Sequence, residues 1–269
     1  MRRYPHGVPC WVDVEQPDAA AGAAFYGELL GWTFEEVTPA GAAVRYLIAS
    51  LGGRDAAAIG SGPQARWHTF VAVDDADETT ARLRELGATI EAEPVDAGPG
   101  GRAASARDPE GHLFHLWQAR RRPGAQAVNE PGAWNFSDLH TADPEAARAF
   151  YGSAFGWRFA EPGPSTAIEV PGYGDHLEST VDPGIRTRQA SAPPGFADVV
   201  GSVSVANGGP TGWRVTFAVA DRDDAAARAE RLGATVLTTA ESEWTRTASI
   251  RDPQGAELVL SQFTPHEGW

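Results

Sequence analysis

Two histidines and an aspartate carry the strongest chemical signal in this 269-residue chain. Asp13 lies in Cys10–Val14, His68 in Trp67–Val73 and His115 in Leu113–Trp117, three short apolar runs that read as strands. Side chains alternate across a strand, so the apolar members assign the faces. Val12 and Val14 take one face and leave Trp11, Asp13 and Glu15 on the other. Val71 and Val73 leave His68, Phe70 and Ala72 together; Phe114 and Leu116 leave Leu113, His115 and Trp117. Imidazoles and a carboxylate on an otherwise apolar wall suit a small-molecule site. There His68 or His115 would serve as general acid or base, with Asp13 orienting it. Trp11, Phe70 and Trp117 would give a ligand aromatic surface. A second set, Asp138, His140, Arg214 and Glu257, falls on one polar face of later strands. Arg214, always charged, could clamp a carboxylate, phosphate or enolate; equally it could be a structural partner of Asp138 or Glu257.

The elements that must position these groups repeat along the chain. Phe25-Tyr26-Gly27…Gly31-Trp32 returns as Phe150-Tyr151-Gly152…Gly156-Trp157. Leu86-Gly87-Ala88-Thr89 returns as Leu232-Gly233-Ala234-Thr235, and Arg107-Asp108-Pro109-Glu110-Gly111 as Arg251-Asp252-Pro253-Gln254-Gly255. Three blocks in one order mean duplication. The later blocks are displaced further than the first, which places about 21 extra residues in the second copy, in the Pro/Gly/Ser-rich tract around 173–210. Asp18 offers an N-cap to an Ala-rich helix that stops at Gly31. Asp75 and Glu78 form a capping box for a helix that stops at Gly87. Strands are expected at Thr33–Val37, Val44–Ser50, Thr89–Ala92 and Ala103–Ala106. Asp108-Pro109-Glu110-Gly111 has the residues of a type I turn. The unit is strand–helix–strand–strand–strand, four times over. This divides the chain into a domain at 1–122, a solvated linker at 123–132 and a second domain at 133–269.

Composition narrows the function classes. The chain has 22 basic and 36 acidic residues, a net charge of −14, which disfavours nucleic acid and anionic membrane as partners. All the basic residues are arginine. No lysine is available for a Schiff base or a phosphate loop. Cys10, the one cysteine, excludes an internal disulfide and a thiolate cluster, and it reads as an inert packed thiol. No apolar run approaches a membrane span and no leader is visible, so a cytoplasmic protein is expected. No Gly-x-Ser-x-Gly elbow is present. Trp32, Trp67, Trp157 and Trp213 recur in pairs and suit core packing, while His6, His112, His176 and His266 form no spaced metal motif.

The repeated units, the Phe-Tyr-Gly…Gly-Trp helix ends and the Asp-Pro-(Glu/Gln)-Gly turns resemble the vicinal oxygen chelate superfamily, which includes glyoxalases, extradiol dioxygenases and bleomycin-resistance proteins. The tandem form is similar to a two-domain subgroup labelled glyoxalase-like. The resemblance implies an α+β fold of four βαβββ modules, in two curled mixed-sheet half-barrels with the ligand on the concave side. It also implies a divalent metal (Fe, Mn, Ni or Zn) held by one ligand from each of three strands. Two ligand positions fall on His68 and His115 and the third on Trp11, with Asp13 one pleat away; in the second copy they fall on Phe136, Arg214 and Val259. The expected function is an enzyme acting on a small oxygenated molecule, through a metal or by metal-free acid/base chemistry. The alternative is a non-catalytic binder that sequesters an aromatic or antibiotic-like ligand. No organic cofactor is implied. Duplication within one chain suits a monomer, with a homodimer left open.

Overall fold

In a computed structural model, described for residues 3–39, 41–160, 165–206 and 208–265, the duplication is visible element by element. The first half supplies β1 (Pro9–Gln16), α1 (Ala19–Leu30), β2 (Thr33–Glu36), β3 (Tyr46–Leu51), β4 (Arg54–Ser61), β5 (Arg66–Ala72), α2 (Ala76–Glu85), β6 (Thr89–Ala97), β7 (Gly101–Arg107) and β8 (Leu113–Ala119). The second half supplies β9 (Trp134–Thr141), α3 (Pro144–Phe155), β10 (Arg158–Phe159), β11 (Ser165–Glu169), α4 (Tyr173–Thr180), α5 (Ile185–Arg188), β12 (Val199–Val205), β13 (Gly212–Ala218), α6 (Arg222–Arg231), β14 (Thr235–Glu241), β15 (Thr245–Arg251) and β16 (Glu257–Phe263). The two eight-stranded sheets run β2-β3-β4-β1-β5-β8-β7-β6 and β10-β11-β12-β9-β13-β16-β15-β14, one order used twice. Parallel pairs β1/β4 and β5/β8 sit among antiparallel neighbours, so the sheets are mixed. Neither closes on itself. The fold is the α+β arrangement of repeated βαβββ modules that the sequence implies.

Local chemistry sets the helix ends. Asp18, Asp75, Asp143 and Asp221 each accept backbone N–H groups at the start of α1, α2, α3 and α6, which satisfies donors that a helix start leaves open. α1 and α3 stop at Gly31 and Gly156, with φ of +77° and +70°. Gly27 and Gly152, the third residues of the Phe-Tyr-Gly repeats, are needed for closeness. A Cβ at either would lie 3.3 Å from the carbonyl of Trp32 or Trp157, where the chain turns back along its helix.

Sequence periodicity does not find β4. Its run Asp55-Ala56-Ala57-Ala58-Ile59 has no polar alternation because the strand is central, and Ala56 through Ile59 are fully buried. The tract around 173–210 holds α4, α5 and a 3₁₀ turn at Phe196–Asp198. Tyr173, Leu177 and Ile185 are buried there, and Arg186 and Arg188 pair with Asp175, Glu178 and Asp182.

By contacts the chain forms two compact units, each drawing on both halves of the sequence. One comprises Met1–Cys10, Thr69–Gly124 and Ser137–Trp213; the other comprises Trp11–His68, Ala125–Phe136 and Arg214–Trp269. In the first, α2 packs on α3 over a core that includes Val71, Phe114, Leu116, Leu139, Phe150 and Tyr151. In the second, α1 packs on α6 over Val12, Val14, Tyr26, Trp67, Phe217 and Leu258. The stretch at 123–132 is less solvated than composition suggests. Ala125 and Ala127 are fully buried, and the Gln126 and Ala127 N–H groups donate to the Asp55 carbonyl.

The repeated motifs join the halves inside each unit. Tyr26 of the first Phe-Tyr-Gly donates its hydroxyl to Asp252 in the second half's turn (2.7 Å), and Tyr151 of the second donates to Asp108 in the first half's turn (2.9 Å). Each phenol accepts from an indole, Trp67 or Trp213. The next polar residue of each turn holds a helix entrance. Gln254 exchanges hydrogen bonds with the Asp18 backbone, and Glu110 accepts from Ala142 N–H and the Thr141 hydroxyl. Trp32 and Trp157 donate to the carbonyls of Gly132 and Gly7, just ahead of β9 and β1. These tryptophans are structural.

Candidate active site

Core membership follows the alternation. Val12, Val14, Val71, Phe114 and Leu116 lie in the two cores, as do Leu139, Val215, Phe217, Leu258 and Leu260 in the second copy. The opposite faces therefore carry Asp13, His68, His115, Asp138 and Arg214.

In the second unit, Asp13 is the centre of a hydrogen-bonded chain. Its Oδ1 lies 3.0 Å from Nδ1 of His68, and its Oδ2 accepts the Tyr46 hydroxyl at 2.8 Å. The Tyr46 oxygen in turn accepts the Trp11 indole N–H at 3.2 Å. The Asp13 and His68 side chains are only 10% and 12% exposed. A carboxylate only accepts, so the contact places a proton on Nδ1 of His68. In the neutral ring the Nε2 atom then carries the lone pair. An imidazole held in this way by a buried carboxylate has the chemistry of a general base.

Other expected residues stand elsewhere. Glu15 folds over Gly62 and accepts the Gln64 N–H. In the first unit, Phe70 is buried and stacks on His115 with centroids 4.6 Å apart. Trp117 lies on the Gly101 backbone and donates to the Arg122 carbonyl, so its ring packs against the chain itself. Asp138 accepts from Ser202 at 2.8 Å in the in-register pair of β9 and β12. His140 follows on the same face beside Ser204. Arg214 is half-buried on β13. Glu257 is exposed at the start of β16 and pairs with Arg251, so it does not join Asp138. His112 is buried on Asp108, His6 lies against the Asp74 N–H and His176 against the Arg3 carbonyl, and His266 lies outside the described residues. Burial pushes the Cys10 thiol up, which suits an inert thiol.

Sequence reasoning missed Tyr46 and Ser202. Leu47, Ile48 and Ala49 beside Tyr46 are all buried, so β3 shows no alternation from which its faces could be read.

Across the chain, the glyoxalase-like domain family matches residues 11–117 and 136–261. This chain belongs to the glyoxalase-like family. Its relatives include CFP32 of Mycobacterium tuberculosis, named as a candidate glyoxylase, which is 32% identical over 98% of both chains. The anthracycline biosynthesis protein DnrV of Streptomyces peucetius is 31% identical over 98% of this chain and 96% of its own. Among solved structures, a Mn(II)-bound glyoxalase from Novosphingobium aromaticivorans superposes with a TM-score of 0.62 at 15% identity, over 98% of this chain and 85% of its own. The 2,3-dioxygenase LapB of Pseudomonas sp. KL28 gives 0.60 at 14% identity, over 98% and 96%. These structures share the fold of the vicinal oxygen chelate superfamily. Among the described residues of this glyoxalase-like chain, no helix is long and apolar enough to cross a membrane.

The donor set does not fit the metal that the family resemblance implies. Sites with open positions use about three convergent N or O ligands. Among the described residues no group of three His, Cys, Asp or Glu side chains converges. At the first ligand position Trp11 presents an N–H donor, already spent on Tyr46. Both Asp13 oxygens are engaged by His68 and Tyr46.

Proposed function

We propose that the protein is a proton-transfer enzyme of the glyoxalase-like family, acting on a small oxygenated molecule without a resident metal. The observation that carries this reading is the buried Asp13 carboxylate held against Nδ1 of His68 at 3.0 Å. Such a pair presents a neutral imidazole as general base and stabilises the imidazolium that forms. His68 Nε2 takes a proton from a carbon next to a carbonyl; the electron pair of the broken C–H bond passes into an enolate. The imidazolium then returns the proton to a carbon or oxygen of the same molecule. Relatives named for glyoxylase activity and for anthracycline biosynthesis support 2-oxoaldehyde adducts and hydroxylated polycyclic ketones as substrates.

The test follows carbon-bound hydrogen. Wild-type protein incubated in D₂O with the methylglyoxal–glutathione hemithioacetal and with a panel of anthracycline aglycones is expected to exchange one C–H position of a substrate. His68→Gln should slow exchange by about 10²–10⁴-fold, the ordinary worth of a general base. Exchange that survives in His68→Gln, or that vanishes on chelator treatment of the wild type, would overturn the reading.

A further inference from the structure

We propose that Tyr46 is the positioning residue that locks the Asp13–His68 pair, reaching it across a strand of small residues. The proposal rests on the proton-transfer reading above and adds a residue to its machinery. Tyr46 is on β3 and Asp13 on β1, with β4 between them. In register, Tyr46 faces Gly60 of β4, Gly60 faces Glu15 of β1, and Asp13 faces Ala58. Two strand spacings are about 9–10 Å, so only a long side chain over a low strand can bridge them. Gly60 and Ala58 provide that low path: a Cβ at Gly60 would already touch the Tyr46 ring at 3.4 Å.

The hydrogen bonds are directional. Trp11 donates to the Tyr46 oxygen, and the phenol donates its own proton to Asp13 Oδ2. With Oδ2 occupied, the carboxylate cannot swing, and Oδ1 is presented to Nδ1 of His68. The chain Trp11→Tyr46→Asp13 thereby selects one tautomer of His68. Tyr46 acts through Asp13.

Nitrogen-15 NMR of the His68 ring, on the whole protein without substrate, tests this directly. Wild type is expected to show one tautomer, protonated at Nδ1. Tyr46→Phe should give a mixture of both, and turnover should fall about tenfold in kcat with KM within about twofold, the pattern of lost transition-state positioning. Trp11→Phe, which keeps the Tyr46–Asp13 bond but removes its directing donor, should shift the tautomer ratio the same way by less. It also serves if Tyr46→Phe does not fold. A folded Tyr46→Phe or Trp11→Phe protein with an unchanged single tautomer overturns the role of Tyr46. Full turnover by His68→Gln instead overturns the proton-transfer reading, whatever the NMR shows.

Discussion

The same acceptor problem is solved twice with different side chains. Asp252 takes Tyr26 and Gln16 on its Oδ2; Asp108 takes Tyr151 and His112 on its Oδ2. Burial, then the neighbouring aspartate, pushes both phenols well up, so they remain donors. Removing one donor leaves a buried carboxylate short of a partner, and Tyr26→Phe or Tyr151→Phe should cost about 1–3 kcal/mol in urea unfolding. The histidine makes its junction sensitive to pH. Burial alone would lower the pKa of His112, but its hydrogen bond to Asp108 and the Asp108 and Glu110 charges outweigh this and raise it. Burial alone would raise the pKa of Asp108, but its hydrogen bonds to His112, the His112 charge and Tyr151 hold it down. A raised histidine stabilises fully below its unfolded pKa of about 6.5, and that contribution is lost as pH rises through the folded value. The aspartate contribution is present above about 3.9 and is lost as pH falls through its lowered value. His112→Gln, which imitates the neutral Gln16, should therefore destabilise more at about pH 6 than at about pH 9. Equal penalties in urea melts at both would exclude an ionised pair. Sequence alone gave His112 no role, because the Tyr151 hydroxyl that joins it on Asp108 is brought there only by folding.

Strands and helices differ in how readily they announce themselves. Helix starts are marked by aspartates and stops by glycines, so α1 and α2 could be read from local chemistry. Strands with one core face and one polar face, such as β1, β5 and β8, gave up their orientation through alternation. Central strands did not. β4 packs Ala56, Ala57 and Ile59 into the core, and its small residues Ala58 and Gly60 lie where Tyr46 crosses it. β12 carries a related constraint at Gly201, where a Cβ would sit 2.4 Å from the Ser137 carbonyl oxygen of β9. Backbone must yield there, and Gly201→Ala is expected to cost about 1–3 kcal/mol or more. A thermal melt unchanged from wild type would show that the two strands can part freely. What holds α4 and α5 is three buried side chains, with exposed ion pairs beside them, and a Pro/Gly/Ser-rich composition conceals both.

Duplication was plain from three repeated blocks, and it gave the strand–helix–strand–strand–strand unit; the order of the strands in each sheet came only with the structure. Nor did duplication give the partnership of the modules. Each core is assembled from both halves of the chain, because the phenol of one half bonds to the turn of the other. Fragments 1–122 and 133–269, expressed singly, are expected to lack a cooperative thermal transition, and mixing them should restore one. A sharp transition for either fragment alone would mean that one half is self-sufficient. The candidate site was partly visible: Asp13 and His68 emerged from alternation, whereas Tyr46 did not, since Leu47, Ile48 and Ala49 after it on β3 are all buried.

The turn-to-helix clasp has a consequence for the protein's history. Asp108 with Glu110, and Asp252 with Gln254, each grip a helix encoded more than thirty residues away in the opposite copy. A change in either grip must be answered in the other gene segment, so the two repeats can no longer be shed or exchanged one at a time. Divergence is left to the sheet faces, and it is there that one repeat carries a histidine at position 68 where its twin carries Arg214.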